Sequence, residues 1–169
     1  MYPNLEQAIS AHPPNWAIDP FKSRSWVWFL HQLSFITNLI AYDRETQKGE
    51  GAKWAMKAVR SWWAAFSDLK AAPAHAWHDH GSAMRAERLV ELCKHLRALR
   101  AKENQDKRVI QSDLHYLGSI LDVHAIFWAD NDNYSKAANH GMAQSLSLLI
   151  VCLERRNEAW TSDFKRVAL

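Results

Sequence analysis

Glycine and proline are scarce in this 169-residue chain, five of each, and four of the prolines fall within the first twenty residues, with the fifth at Pro73. Beyond that lead, little interrupts a helix, because these are the two residues that break one. Cysteine is scarcer still: Cys93 and Cys152 are too few for a disulfide framework, and each sits in an apolar helical pattern where a thiol behaves as a small hydrophobe. No long apolar run occurs. The longest, Leu146 with Leu148 to Leu153, falls far short of the roughly 20 residues that cross a bilayer, so no membrane insertion is expected. Met1 to Ser10 has neither the cationic start nor the apolar stretch of a secretory signal, and the compartment stays open. Charge of one sign is never concentrated: the net charge is +3, with Lys and Arg scattered among Asp and Glu, which argues against a dedicated nucleic-acid binder. A Gly-rich phosphate loop, a CxxC pair and a nucleophile elbow are all missing, which removes nucleotide hydrolysis, redox exchange and serine hydrolase chemistry.

What is present is apolar periodicity. With 48% hydrophobic residues the chain can bury one core without staples. Residues 1–22, broken by Pro3, Pro13, Pro14 and Pro20, read as an extended lead docked against the body, with room for a short helix at Leu5 to Ala11. Residues 23–169 read as one helical domain. Trp26, Phe29, Leu30, Leu33, Ile36, Thr37 and Ile40 predict a first helix from Ser23 to about Arg44, and Trp54 to Phe66 a second, paired with it as an antiparallel hairpin. Ala71 to Gly81 is a loop rich in polar and aromatic groups. A third helix is expected from Ser82 to about Lys102, a fourth from about Arg108 to Trp128, and a fifth from about Ala137 to Arg155. The fifth is apolar nearly all round and is therefore expected to be central. A sixth would start within Trp160 to Val167. No strand-like alternation appears, so the expected class is all-α, a bundle or a stacked array of helical hairpins.

Two sets of residues carry chemistry. Trp77-His78-Asp79-His80 is followed by Arg85, expected a little over one turn later on nearly the same side, so that loop and arginine face one cleft. A cation beside two imidazoles suits a carboxylate or sulfate. Asn139-His140-Gly141 heads the fifth helix, where an amide, an imidazole and free backbone N–H groups meet the positive end of a helix dipole. A plain helix cap is the competing role for Asn139. His75, His78 and His80, with Asp79, match no standard closed zinc site, so no metal or other cofactor is expected. His31, His95, His115 and His124 read as satisfied core or interface histidines, and most of the nine Trp as packing, although wide aromatic planes also stack on sugar rings.

In order, "WVWFLHQLSFITNLIAYDRETQ" through "SWWAAF", then "AWHDHGSAMRAERLVEL", then "NHGMAQSLSLLIV" resemble the helical N-terminal domain of the heparinase II/III-like polysaccharide lyases over about Ser25 to Leu153. The resemblance implies antiparallel hairpins forming part of an incomplete α/α toroid. It also implies an acidic, uronate-containing polysaccharide as partner and cleavage by β-elimination. Asn139 would polarise the uronate carboxylate, and His140 would assist it or act as base. Trp77, His78, His80 and Arg85 would line the substrate cleft. The family's catalytic Tyr comes downstream of the Asn-His pair, beyond Leu169, so a truncated form is expected; Tyr134 precedes the pair and does not match it. A non-catalytic carbohydrate-binding or helical protein-interaction module is the alternative. Uncovered apolar helix faces of a partial toroid would favour a homo-oligomer.

Overall fold

The structure, a computed structural model, describes residues 15–102, 106–130, 132–135 and 139–155. Among them are six α-helices and no strand: α1 Arg24–His31, α2 Ile36–Thr46, α3 Glu50–Phe66, α4 Asp79–Arg100, α5 Lys107–Ala129 and α6 Asn139–Glu154. The chain is all-α. No described helix is long and apolar enough to cross a membrane. The expected short helix at Leu5 to Ala11 and the sixth helix near the C-terminus lie outside the described residues. The described part of the lead packs on the body. Trp16 is buried and donates its indole N–H to Ser61 Oγ at 3.1 Å, and the Ile18 carbonyl accepts from Trp26 Nε1 at 2.8 Å.

Three expectations are corrected. The helix expected from Ser23 to Arg44 is two helices, because α1 ends in a Schellman closure. The Leu33 N–H bonds to the Leu30 carbonyl at 3.1 Å, and the Ser34 N–H to the Phe29 carbonyl at 3.3 Å. Leu33 itself takes the left-handed φ of 55° normally left to glycine, at a cost of roughly 1–2 kcal/mol. Its side chain is wholly buried, which offsets that cost. The break releases the His31 carbonyl from the helix ladder, and Arg85 Nη1 takes it at 2.9 Å.

The third helix starts earlier than expected, at Asp79 rather than Ser82, which brings Asp79 and His80 into its first turn. The central helix is α4, not the last one. α4 packs against every other helix, and its small residues Gly81, Ser82, Ala83 and Ala86 allow close approach on several sides. α6 is less covered: Met142, Leu146 and Leu153 are 76%, 54% and 55% exposed. Apolar residues all round a helix permit burial; only the neighbours present decide it.

The hairpin of α2 and α3 is set by Asp43. Its carboxylate accepts the Gly51 and Ala52 N–H groups, each at 2.7 Å, capping α3 from the facing helix. Gly51 makes that approach possible, since a Cβ there would lie 2.1 Å from the Leu39 carbonyl oxygen. Gly51→Ala must push α2 and α3 apart and is expected to destabilise by about 3 kcal/mol, read as a lower urea midpoint with an unchanged slope.

Candidate functional site

The segment before α4 is held at both ends. Asp68 Oδ1 accepts the Lys70 and Ala71 N–H groups at 3.0 and 3.3 Å, and Trp77 Nε1 donates to the Phe66 carbonyl at 2.7 Å. His78 therefore sits at the N-cap of α4, with Asp79 and His80 in the first turn. The loop before α6 is clamped in a similar way. Buried Gln144 accepts from the Ser135 N–H at 2.9 Å and donates to the Asn133 carbonyl at 2.7 Å, while the Tyr134 and Ser145 hydroxyls meet at 2.8 Å. Gly141 allows this clamp, because a Cβ would fall 2.2 Å from the Ser135 carbonyl oxygen.

These two supports bring the starts of α4 and α6 together. Asp79 Oδ2 lies 3.0 Å from His140 Nδ1, and Asp79 Oδ1 lies 2.8 Å from His78 Nδ1. The His80 and His140 rings lie parallel to within 7°, centroids 5.1 Å apart. Trp28, from α1, packs on His78 at 4.9 Å, and the Arg24 guanidinium lies 4.8 Å over the Trp28 ring. All of these groups except Arg24, which is exposed, are half-buried and reach solvent.

Burial works against the Asp79 charge, but the His80 N–H, the His140 hydrogen bond and the adjacent imidazoles outweigh it and hold the carboxyl below its usual range. An ionised carboxylate only accepts, so His140 Nδ1 carries the hydrogen of this contact and Nε2 is the ring nitrogen that Asp79 does not hold. This is the orientation of a general base held by a carboxylate. Burial also lowers the His78 pKa; Asp79 opposes that, while His140, Arg24 and His80 add to it. Asp79 Oδ2 is hydrogen-bonded to His140 and Asp79 Oδ1 accepts the His80 N–H, while His78 Nδ1 lies near Oδ1 without a hydrogen bond. Among the described residues no group of three or more His, Cys, Asp or Glu side chains is arranged to hold a metal ion.

Asn139, the first residue of α6, is exposed beside His140. Two of the sequence-predicted residues lie elsewhere. Arg85 is 0% exposed. Its Nε donates to His124 Nε2 at 3.0 Å, its Nη1 to the His31 and Ala76 carbonyls at 2.9 and 2.8 Å, and its guanidinium lies 3.9 Å over the Trp62 ring. Trp77 is buried among Trp62, His124 and Phe127. Neither reaches the surface on which His78, His80 and His140 meet; both brace the loop from beneath. That surface instead gains Trp28 and Arg24, which the sequence shows only as part of an apolar first helix.

Exposed His75 packs edge-on against His31 at 4.6 Å, and four other histidines divide by surroundings. His31 and His124 are core groups around Arg85, His115 pairs with Gln111 on the surface, and His95 bonds Asp43. Both cysteines are buried. Burial, with Glu154 nearby, pushes the Cys93 thiol up to about 12, so it is no nucleophile at neutral pH. Comparison with known proteins gives no match to a family model, a curated protein or a solved structure.

Proposed function

We propose that the face carrying Trp28, His78, His80, Asn139 and His140 binds a uronate-containing acidic polysaccharide and is part of a lyase-like site, within hairpins belonging to an α/α toroid. The observation that carries this reading is the Asp79–His140 pairing at 3.0 Å, which joins the starts of two helices 61 residues apart. In β-elimination the uronate carboxylate must be neutralised before the C5 proton is acidic enough to leave. The Asn139 amide and the N-terminal dipole of α6 supply the first requirement, and His140 Nε2, oriented by Asp79, supplies the base. Trp28 offers a stacking plane and Arg24 a cation. Arg85 and Trp77 act through the loop they hold. As His140 takes the C5 proton, the electron pair of that C–H bond forms the C4–C5 double bond, the C4–O bond breaks, and the leaving oxygen takes its proton from solvent, which reaches this face.

The test is incubation with alginate, heparan and hyaluronan while following the ultraviolet absorbance of the unsaturated product. His140→Ala is expected to lower the rate by at least about 100-fold, and Asn139→Ala to weaken binding of the uronate chain. Turnover untouched by His140→Ala would remove the assignment. Binding without any absorbance change would favour the carbohydrate-binding module over the lyase.

A second reading rests on a separate observation. Met142, Leu146 and Leu153 lie exposed along α6, with Ile126 exposed on α5. A stripe of this kind supports self-association through helix faces. Sedimentation is expected to show a dimer or larger species that Leu146→Lys returns to monomer; a monomer at high concentration would exclude it.

A further inference from the structure

We propose that His78, His80 and His140 make the face at the starts of α4 and α6 an acid-gated polyanion site, which holds an acidic chain more tightly as the imidazoles take up protons and loses its base over the same range. The inference rests on the reading of this face as one that binds an acidic polysaccharide, and adds what controls it.

The geometry crowds three titratable rings round one carboxylate. The His78 and His140 centroids are 5.7 Å apart, and those of His80 and His140 5.1 Å apart. Asp79 Oδ2 bonds His140 Nδ1 at 3.0 Å, and Asp79 Oδ1 accepts the His80 N–H. Trp28 packs on the group from α1, 4.9 Å from His78 and 6.2 Å from His80, and the Arg24 guanidinium lies over the Trp28 ring. The His78, Asp79 and His140 side chains keep 25%, 25% and 31% of their surface exposed, so protons and a ligand both reach them.

The charges around the cluster come from three helices. Asp79 on α4 favours a proton on His78, while His140 from α6, Arg24 from α1 and His80 oppose it. Glu87, about two turns further along α4, is bonded by Ser147 Oγ at 3.0 Å. In the loop before α6, Asp130 and Asp132 are exposed, and Asp130 Oδ1 accepts the Asp132 N–H at 3.0 Å. With the three rings neutral, Asp79 and Arg24 cancel. Each proton then adds one positive charge, and because neighbouring like charges resist one another, the protons go on over a broader span than a lone histidine near pH 6.5 would show. His78 takes its proton at lower pH, since burial disfavours its charged form. A chain of regularly spaced acidic groups meets several of these charges at once, which is why the partner is a polyanion and not a single small anion. Turnover moves the opposite way, because a protonated His140 is no base.

The test is binding of sulfated dextran, whose charge is constant over the range, and of alginate to the intact chain at fixed ionic strength from about pH 7.5 to 5.5. Neutral dextran is the control, and circular dichroism checks the fold at each pH. Affinity for both polyanions is expected to rise at least about tenfold toward the acid end, and added salt to weaken it more there. His78→Asn with His80→Asn is expected to remove most of that rise, and His80→Asn alone, which leaves the start of α4 intact, to remove part of it. His115→Asn, which deletes a surface imidazole beside Gln111, leaves it. An affinity flat with pH, or a rise equal in wild type and the double variant, would overturn the proposal. The two readings separate: a rise lost in the double variant, with no unsaturated product from alginate at any pH, keeps the gate and removes the lyase. Product at neutral pH with a flat affinity does the reverse.

Discussion

Arg85→Ala is expected to lower stability by about 3–5 kcal/mol, the largest loss from any single side chain considered in this protein. Two effects oppose each other. Removing a guanidinium from the core ends a desolvation penalty, which is large here because, among the described residues, Arg85 contacts no carboxylate and its Nη2 makes no hydrogen bond. Its charge is met by His124 Nε2, by two carbonyls, one of them at the negative end of α1, and by the faces of Trp62 and Trp77 at 3.9 and 4.9 Å. Against that relief, truncation orphans three buried acceptors at about 1–3 kcal/mol each and opens a cavity beneath the loop before α4. The acceptors win. Arg85→Met separates the terms, because it fills much of the volume and leaves the acceptors unpaired; its urea midpoint should lie between wild type and alanine. Arg85→Met matching wild type would show that the carbonyls and His124 find other donors.

The same residue shows how far a helical pattern can be read. The apolar spacing gives the helix types and most of their limits: the fourth helix, expected from about Arg108 to Trp128, is observed as Lys107–Ala129. Which helix is central is not legible, since it depends on neighbours that a one-dimensional period does not contain. Nor is the break after His31, because a left-handed leucine carries no signal of the kind a glycine would.

Arg85 does not lie on the side of the helix that carries His80. Five residues at about 100° each put it about 140° round the helix, on the core side rather than the surface. The meeting of His78, Asp79, His80 and His140 had a clearer signal, in that both segments head helices and concentrate polar groups where backbone N–H donors are free. Trp28 and Arg24 had none, because aromatic and basic residues on a first helix read equally well as packing and solvated face. Asp43 with His95 stayed hidden for another reason. Their 52-residue separation matches no short motif, and a lone histidine on an apolar face is ordinarily a core group.

Acid should unfold this protein through the two imidazoles around Arg85. Burial, with His75 and Arg85 adding to it and the Trp16 backbone opposing, lowers His31 to about 3. Burial and Arg85 also drive His124 well below its ordinary value, against the pull of the Ile120 carbonyl. Hydrogen bonding fixes both as neutral acceptors: His31 Nδ1 takes the Trp62 indole N–H at 3.1 Å, and His124 Nε2 takes the Arg85 Nε–H at 3.0 Å. In the unfolded chain each imidazole takes up a proton near pH 6.5, while in the fold it does not. The unfolded state therefore binds more protons below about pH 6.5. Stability is fully present above that value and falls with pH at about 1.4 kcal/mol per unit for each histidine. At pH 4.5 the two together cost about 5 kcal/mol, comparable to the whole stability of many domains of this size. Urea midpoints measured from pH 7.5 to 4.5 should fall steeply below about 6.5. His124→Gln keeps an acceptor for Arg85 without a titrating group, so it should be less stable at neutral pH yet show about half the slope. A midpoint flat between pH 7 and 5 would mean that neither imidazole is held neutral by the Arg85 cage.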